Sequence, residues 1–258
     1  MRHDFHHWVR KALPFLAVAS LLSAWHLAAA MQPRGLLPGP WPVILGIGEL
    51  AQKGLLLKYV IASLFRVTWG YLAAVTLAIP AGLLLGWYRR AGCAFGPLLQ
   101  ILRPVSPLAW IPIAILWFGV GDGAAVFLIF LASSLPLVAA SIHAVQNVDP
   151  THLLAGRNFG LSEAQLIRRV VCPATMPQLI VALRIALGIA WLVVVAAEMI
   201  AVNSGLGFLI VDARNAGNRY DLVVAGMVLI GIIGLLLDLG IRRLEKHPSL
   251  RWGYGEAK

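Results

Sequence analysis

Long apolar runs recur six times along this chain, and nothing else in it constrains the fold so tightly. A run of about 18 or more residues, rising ~1.5 Å per residue as a helix, crosses the ~30 Å hydrocarbon core of a bilayer. Inside lipid every backbone N–H and C=O needs an internal partner, so such runs are read as helices. They lie at Leu13–Met31, Leu64–Tyr88, Leu98–Val120, Ala124–Val145, Leu179–Val202 and Leu222–Ile241. The third is the least regular, because Arg103, Pro104, Pro107 and Pro112 interrupt it. The 258 residues are 60% hydrophobic and 12% charged, which leaves no room for a separate soluble domain. The expected architecture is an all-α membrane protein of six transmembrane helices, a single domain over residues 1–258 with its core at about 64–241. A loop rich in proline and glycine follows the first run. After it Val43–Val60 is weakly amphipathic and is expected to lie on the outer surface as a peripheral helix. The first span reads as an added, more lipid-facing helix.

The charges then set the topology. Lys and Arg outnumber Asp and Glu by 21 to 11, a balance that would suit nucleic acid if it were gathered in one patch. Instead the basic residues flank span ends, so no nucleic-acid partner is expected. Arg2, Arg10 and Lys11 precede the first span, and Arg89 and Arg90 follow the second. Arg157, Arg168 and Arg169 follow the fourth, and Arg242, Arg243, Lys246, Arg251 and Lys258 follow the sixth. By the positive-inside rule these segments are cytoplasmic, which places both termini inside and agrees with an even number of spans. The outer loops are poorer in charge and hold Arg34, Lys53, Lys58, Asp122, Arg214 and Arg219. The basic start followed by an apolar stretch and Ala28-Ala29-Ala30 has the outline of a secretory signal, but the stretch is too long for a usual signal core and is read as an uncleaved anchor. His3, His6 and His7 read as interfacial residues. Cys93 and Cys172 both fall on the cytoplasmic side, where disulfides do not persist, and neither suggests a metal site.

Between the fourth and fifth spans lies a polar insert, Asp149 to Pro173, with strong local signals. Asp149 is a good N-cap and Pro150 suits the first helical position, so a short helix is predicted to start there and stop at Gly160. Ser162 followed three residues on by Gln165 is a capping-box pattern that opens a second helix, which Pro173 is expected to end or kink. This helix, turn, helix resembles the EAA loop of permease subunits of bacterial ABC importers, whose pattern is Glu-Ala-Ala, three residues, Gly, nine residues, Ile, one residue, Leu, Pro. Leu154-Ala155-Gly156 stand at the Glu-Ala-Ala positions, Gly160 at the glycine, Val170 at the Ile, Cys172 at the Leu and Pro173 at the proline. The chain departs from the pattern at Leu154, in place of the glutamate, and at Gly156, in place of the second alanine.

Further segments look like one branch of that family, the permeases for nitrate, sulfonate, taurine, bicarbonate or cyanate. They are Leu102 to Pro112, Trp117-Phe118-Gly119-Val120-Gly121, Ala197-Glu198-Met199-Ile200, Gly205-Leu206-Gly207-Phe208 and Asp212-Ala213-Arg214-Asn215, in that order. The resemblance covers roughly Leu64 to Ile241. It implies the type I ABC importer permease fold in the bacterial inner membrane, a homodimer of permease subunits, two ATP-binding cassette subunits and an external substrate-binding protein. It also implies that Thr151–Asn158 docks in a groove of the ATPase as a coupling helix, with Gly160 permitting the turn. The coupling residues would then be Asp149, Thr151, Leu154, Ala155, Gly156, Arg157, Gly160 and Pro173.

The chain has no phosphate-binding loop of the form Gly, four residues, Gly-Lys-Ser/Thr, so ATP and its magnesium are expected on the partner ATPase and no cofactor on this chain. It is therefore expected not to be an enzyme in its own right. Ser106 before Pro107 is a cap followed by a favoured first-turn residue. Either the third span breaks there, its positive helix start aimed at an anion in the pathway, or the segment is a simple proline kink or a helix that begins near the cytoplasmic face. Trp110, one turn on, is read as packing in preference to an apolar gate. Ser133 and Ser134, like Thr76 and Ser141, either line a pathway or bond a carbonyl of their own helix. Glu198, deep in the fifth span, must face protein or water, and Arg66 lies at comparable depth. The two are expected to share an ion pair or hydrogen-bond network that holds the outer gate or the spans together. Asp238 is expected to pair with Arg242 one turn on. Asp212, Arg214 and Arg219 are candidate docking contacts for a binding protein.

The function expected is the transmembrane permease subunit of an ATP-driven importer for a small oxyanion or sulfonate-type solute. The alternative is a secondary, ion-coupled anion transporter, which needs ionisable residues at mid-depth and ordinarily an internal repeat. An intramembrane enzyme needs a constellation such as Ser with His at mid-span. Ser141 and His143 are two residues apart and so point to different helix faces.

Overall fold

The computed structural model describes residues 2–32 and 37–245, the side chains of 2–12, 244 and 245 excepted. The expectations placed on Arg2, His3, His6, His7, Arg10, Lys11, Arg34, Lys246, Arg251 and Lys258 therefore lie outside what is described. The helices are α1 (Arg2–Ala30), α2 (Pro40–Gln52), α3 (Leu55–Trp87), α4 (Arg89–Leu102), α5 (Ile111–Phe118), α6 (Asp122–Gln146), α7 (Pro150–Asn158), α8 (Glu163–Leu166), α9 (Cys172–Ala201), α10 (Leu206–Asn215) and α11 (Tyr220–Glu245). A 3-10 turn, Pro107–Trp110, leads into α5, and one π turn, Ile167–Val171, joins α8 to α9. Among the described residues five helices are long and apolar enough to cross a membrane, or six if the bent pair Arg89–Leu102 and Pro107–Phe118 counts as one span.

The third run, Leu98–Val120, breaks at Ser106, one of the readings its sequence left open, and two other sequence expectations need correction. The two halves of that run meet at 86°, because Ser106 is extended ahead of Pro107 and proline pushes the preceding residue out of the helical region. The stretch Val43–Val60 is not one peripheral helix. Gly54, at φ 69°, breaks it, so α2 ends at Gln52 and Leu55 already opens α3. Nor does Pro173 end the second helix of the insert. The chain continues from Glu163 to Ala201 as one helical path, and the π turn just ahead of Pro173 takes up the register where the ring denies a backbone donor.

α3 packs on α6, and α6 on α9. The reason is visible at every fourth position of α3, where Gly70, Ala74, Ala78, Gly82 and Gly86 form a stripe of small residues. Such stripes let helix backbones come close, which substitutes for the hydrophobic drive that lipid removes. The approach leaves no room for a side chain. A Cβ on Gly82 would lie 2.5 Å from Ser141 Cβ and 2.6 Å from the Val138 carbonyl oxygen, and one on Gly70 would lie 2.7 Å from Ile129 Cβ. Gly82→Leu is accordingly expected to force the two helices apart and to destabilise the subunit by ~1–3 kcal/mol. The readout is the apparent melting temperature of the detergent-purified protein, with Gly240→Leu, where open space surrounds the glycine, as the comparison.

α1 stands apart from this core. Phe15, Leu16 and Leu21 are exposed, and the apolar window Leu13–Ala30 buries nothing inside the subunit. Its end is fixed by Trp25 Nε1, which donates to the Pro38 carbonyl at 3.1 Å. α2 is clamped to the α10–α11 junction by Arg219, which lies 2.6 Å from Glu49 and 2.8 Å from Asp221. The hydrogen bond from Arg219, then that from Lys53, holds the Glu49 carboxyl down at about 2. Arg219 is thus committed within the chain, whereas Asp212 and Arg214 remain exposed.

Candidate functional site

At one end of α6 and α9 sits the polar insert. Asp149 Oδ1 accepts from the Thr151 backbone N–H at 2.8 Å, capping α7, and that bond is the first cause of its lowered carboxyl pKa. Pro150 occupies the first turn, where no donor is needed. α7 ends at Asn158, and Gly160 makes the turn after it, its φ of 75° favouring glycine and its N–H donating to the Arg157 carbonyl at 2.9 Å. The second helix opens with both bonds of a capping box, Ser162 N–H to Gln165 Oε1 at 3.0 Å and Gln165 N–H to Ser162 Oγ at 3.4 Å. Gly156 is the contact between the two helices. A Cβ there would lie 2.6 Å from Leu166 Cδ1, so the bare backbone lets α7 lie directly on α8 and the π turn. Leu153 anchors the same corner beside Val145, Val148 and Val171.

The opposite face of α7 packs against no other helix among the described residues. Thr151, Leu154, Ala155 and Arg157 are exposed, Leu154 by 58%, and Phe159 at the tip is 86% exposed. Arg157 reaches Glu163 at 3.5 Å, an exposed and loose pair. Pro173 lies beyond the π turn, at the base of the span.

At the other end of α6 and α9 lies a buried ionic cluster. Arg66, 2% exposed, donates through Nη1 to Glu198 Oε1 at 2.6 Å and through Nε to Asp122 Oδ1 at 2.7 Å. Its remaining bonds go to Ser204, at the carbonyl and the hydroxyl. Glu198 is fully buried, and its Oε2 accepts from Ser63 Oγ and from the Gly207 N–H, each at 2.9 Å. Ser63 Oγ in turn accepts from the Leu206 N–H at 3.0 Å. The cluster ties α3, the start of α6, the end of α9 and the turn into α10. Gly205, at φ 105°, sits against the carboxylate, where a Cβ would lie 2.2 Å from Oε1. Arg66 and Glu198 were singled out in the sequence. Ser63, Asp122 and Ser204 were not, although a buried carboxylate with four lone-pair sites signals that more than one donor must be near.

Of the remaining residues, Pro107 lines a cavity beside α6, while Ser106 caps the 3-10 turn by accepting from the Leu108 N–H at 3.3 Å. Trp110 packs against the main core. Ser134 Oγ bonds the Leu131 carbonyl of its own helix at 3.1 Å, and Ser133 Oγ is buried with no hydrogen-bond partner among the described residues. A second ion pair escaped the sequence reading. Asp238 accepts from Arg184 Nε at 2.6 Å, across α9 and α11, besides pairing with Arg242 at 2.9 Å.

Residues 74–249 match the family described as the binding-protein-dependent transport system inner membrane component. The chain belongs to this family. It is 34% identical to the taurine transport system permease protein TauC of Escherichia coli K12 over 89% of this chain and 86% of that protein. It is 35% identical to the nitrate import permease protein NrtB of Leptolyngbya laminosa over 89% of this chain and 85% of that one. Its fold is similar to that of a chain in the inward-facing MetNI methionine ABC transporter, with TM-score 0.65 and 17% identity over 80% of this chain and 96% of that chain. A chain of a bacterial alginate ABC importer matches with TM-score 0.62 and 13% identity over 94% of this chain and 98% of that one. This permease therefore has the type I ABC importer fold, is a multi-pass inner-membrane subunit, and is not itself an enzyme.

Proposed function

We propose that this permease moves a small oxyanion or organosulfonate into the cytoplasm, as a dimer of two copies joined to two ATPase subunits that carry ATP and magnesium, with an external protein delivering the solute. The exposed face of α7, braced by Gly156 against the base of α9, carries the reading. A rigid protrusion continuous with a membrane span is what a soluble motor needs to pull on. The Asp149 cap and the capping box stiffen it, and the apolar Leu154 and Phe159 offer a surface that a groove can desolvate. Leu154 stands where the family pattern has a glutamate, so the grip here is apolar where the pattern has a charge. The basic residues that flank this end of the bundle support a cytoplasmic insert and, with it, cytoplasmic termini. The solute class is supported by the taurine and nitrate permeases among the relatives, whose cargoes share anionic oxygens on a small centre.

Phe159→Asp is expected to weaken capture of the cognate ATPase at least tenfold while membrane insertion is unchanged, because it places a charge in the middle of the desolvated contact. Co-purification titrated with the ATPase subunit reads this directly. Capture within twofold of wild type would place the ATPase contact elsewhere.

A further inference from the structure

Two adjoining cavities, of about 490 and 520 Å3, share a wall made by Arg103, Ala139 and His143. One extends past Gln100 and Gln146 to Arg89, and the other past Pro107 to Leu131. Their lining follows α6 from Leu131 to Gln146, roughly 22 Å at ~1.5 Å per residue, from mid-helix to the end that carries the insert. Among the described residues no Asp or Glu lines either cavity.

Arg66, Arg184 and Arg219 each have a carboxylate within 2.7 Å. Arg103, like Arg89 on the first cavity, is different. Among the described residues it has no carboxylate and no hydrogen-bond acceptor for its side chain, although it lies at the wall of a cavity between helices. Arg103 is exposed within the subunit, so water and a visiting anion can reach the guanidinium and supply the partner that the protein withholds. Its position adds a second argument. Arg103 lies at the break between α4 and the Pro107–Trp110 turn, and discontinuous helices are where transporters expose backbone and side chains to cargo.

We infer that Arg103, with His143 beside it on α6, is an anion-binding way-point of this permease, taking the oxyanion end of the cargo in the guanidinium fork as it moves toward the cytoplasm. The inference rests on the importer reading above and names the side chains that act on the solute inside the membrane. Lysine at 103 preserves the charge and loses the fork, whereas glutamine removes the charge.

The test uses the whole transporter, the permease with its ATPase and binding protein, in liposomes supplied with isotope-labelled nitrate or taurine. Arg103→Gln is expected to lower uptake at least tenfold while ATP hydrolysis stimulated by the binding protein stays within twofold, and Arg103→Lys to recover uptake to within threefold of wild type. A second readout needs no change at the site. Cys93 lines the first cavity with a free thiol, and its labelling by N-ethylmaleimide, followed by peptide mapping, is expected to slow at least threefold in the wild-type transporter during turnover with the transported anion. Uptake by Arg103→Gln within twofold of wild type, or Cys93 labelling indifferent to the anion, overturns the way-point and leaves the importer reading standing. A wild-type transporter that moves neither probe overturns the oxyanion reading itself.

Discussion

Arg66→Met is expected to destabilise the subunit by about 3–5 kcal/mol, because it strands a buried carboxylate. Glu198 is fully buried and its strongest partner is Arg66 Nη1 at 2.6 Å. Without that guanidinium the charge keeps only Ser63 and the Gly207 N–H, and Asp122 loses its partner at 2.7 Å as well. Glu198→Gln should cost less, since an amide oxygen still accepts from Ser63 and Gly207 while Arg66 retains Asp122 and Ser204. The double variant should cost less than the sum by ~0.5–3 kcal/mol, the signature of two residues in one network. Apparent melting temperatures of the four detergent-purified proteins supply the cycle. A cost below about 1 kcal/mol for Arg66→Met would mean that Glu198 is reached by water or stays neutral.

Much of this arrangement is legible in the chain where the causes are short in sequence. The Asp149 cap, the capping box of Ser162 and Gln165 and the turn at Gly160 each depend on residues within four positions, and each has the geometry its residue types dictate. Depth along a span was enough to bring Arg66 and Glu198 together on paper, because an ionised group in lipid must find company. Their other partners were not legible. Ser63 lies 135 residues from Glu198, and Ser204 lies 138 from Arg66, and neither type announces itself as a ligand. The stripe from Gly70 to Gly86 was present in the sequence at a spacing of four, but apolar runs conceal it when only mean hydropathy is read. Breaks were hardest to place. Four obstacles between Arg103 and Pro112 signalled an irregular third run without deciding between a break at Ser106 and a kink, and Pro173 signalled a stop or kink where the π turn at Ile167–Val171 lets the helix continue.

The ionic cluster and the insert occupy opposite ends of the same two helices, α6 and α9, so on the proposed coupling a push on α7 reaches the cluster only if the insert is stiff. Gly160→Pro is the direct test of that stiffness. Gly160 needs φ of 75°, which proline, fixed near −65°, cannot adopt, and its N–H holds the Arg157 carbonyl at 2.9 Å, which proline cannot donate to. The turn that joins α7 to α8 must therefore open, and with it the contact at Gly156. Neither change touches a membrane span, so membrane insertion is expected to proceed. In reconstituted transporter, uptake should fall at least a hundredfold while basal ATP hydrolysis by the captured ATPase survives and no longer responds to the binding protein. Gly160→Ala, strained in φ but with open space around the added methyl, should cost only about 1 kcal/mol and leave uptake within a few fold. Uptake undiminished by proline would show that force enters the membrane by another route, and the exposed face of α7 would then lose its role as a handle.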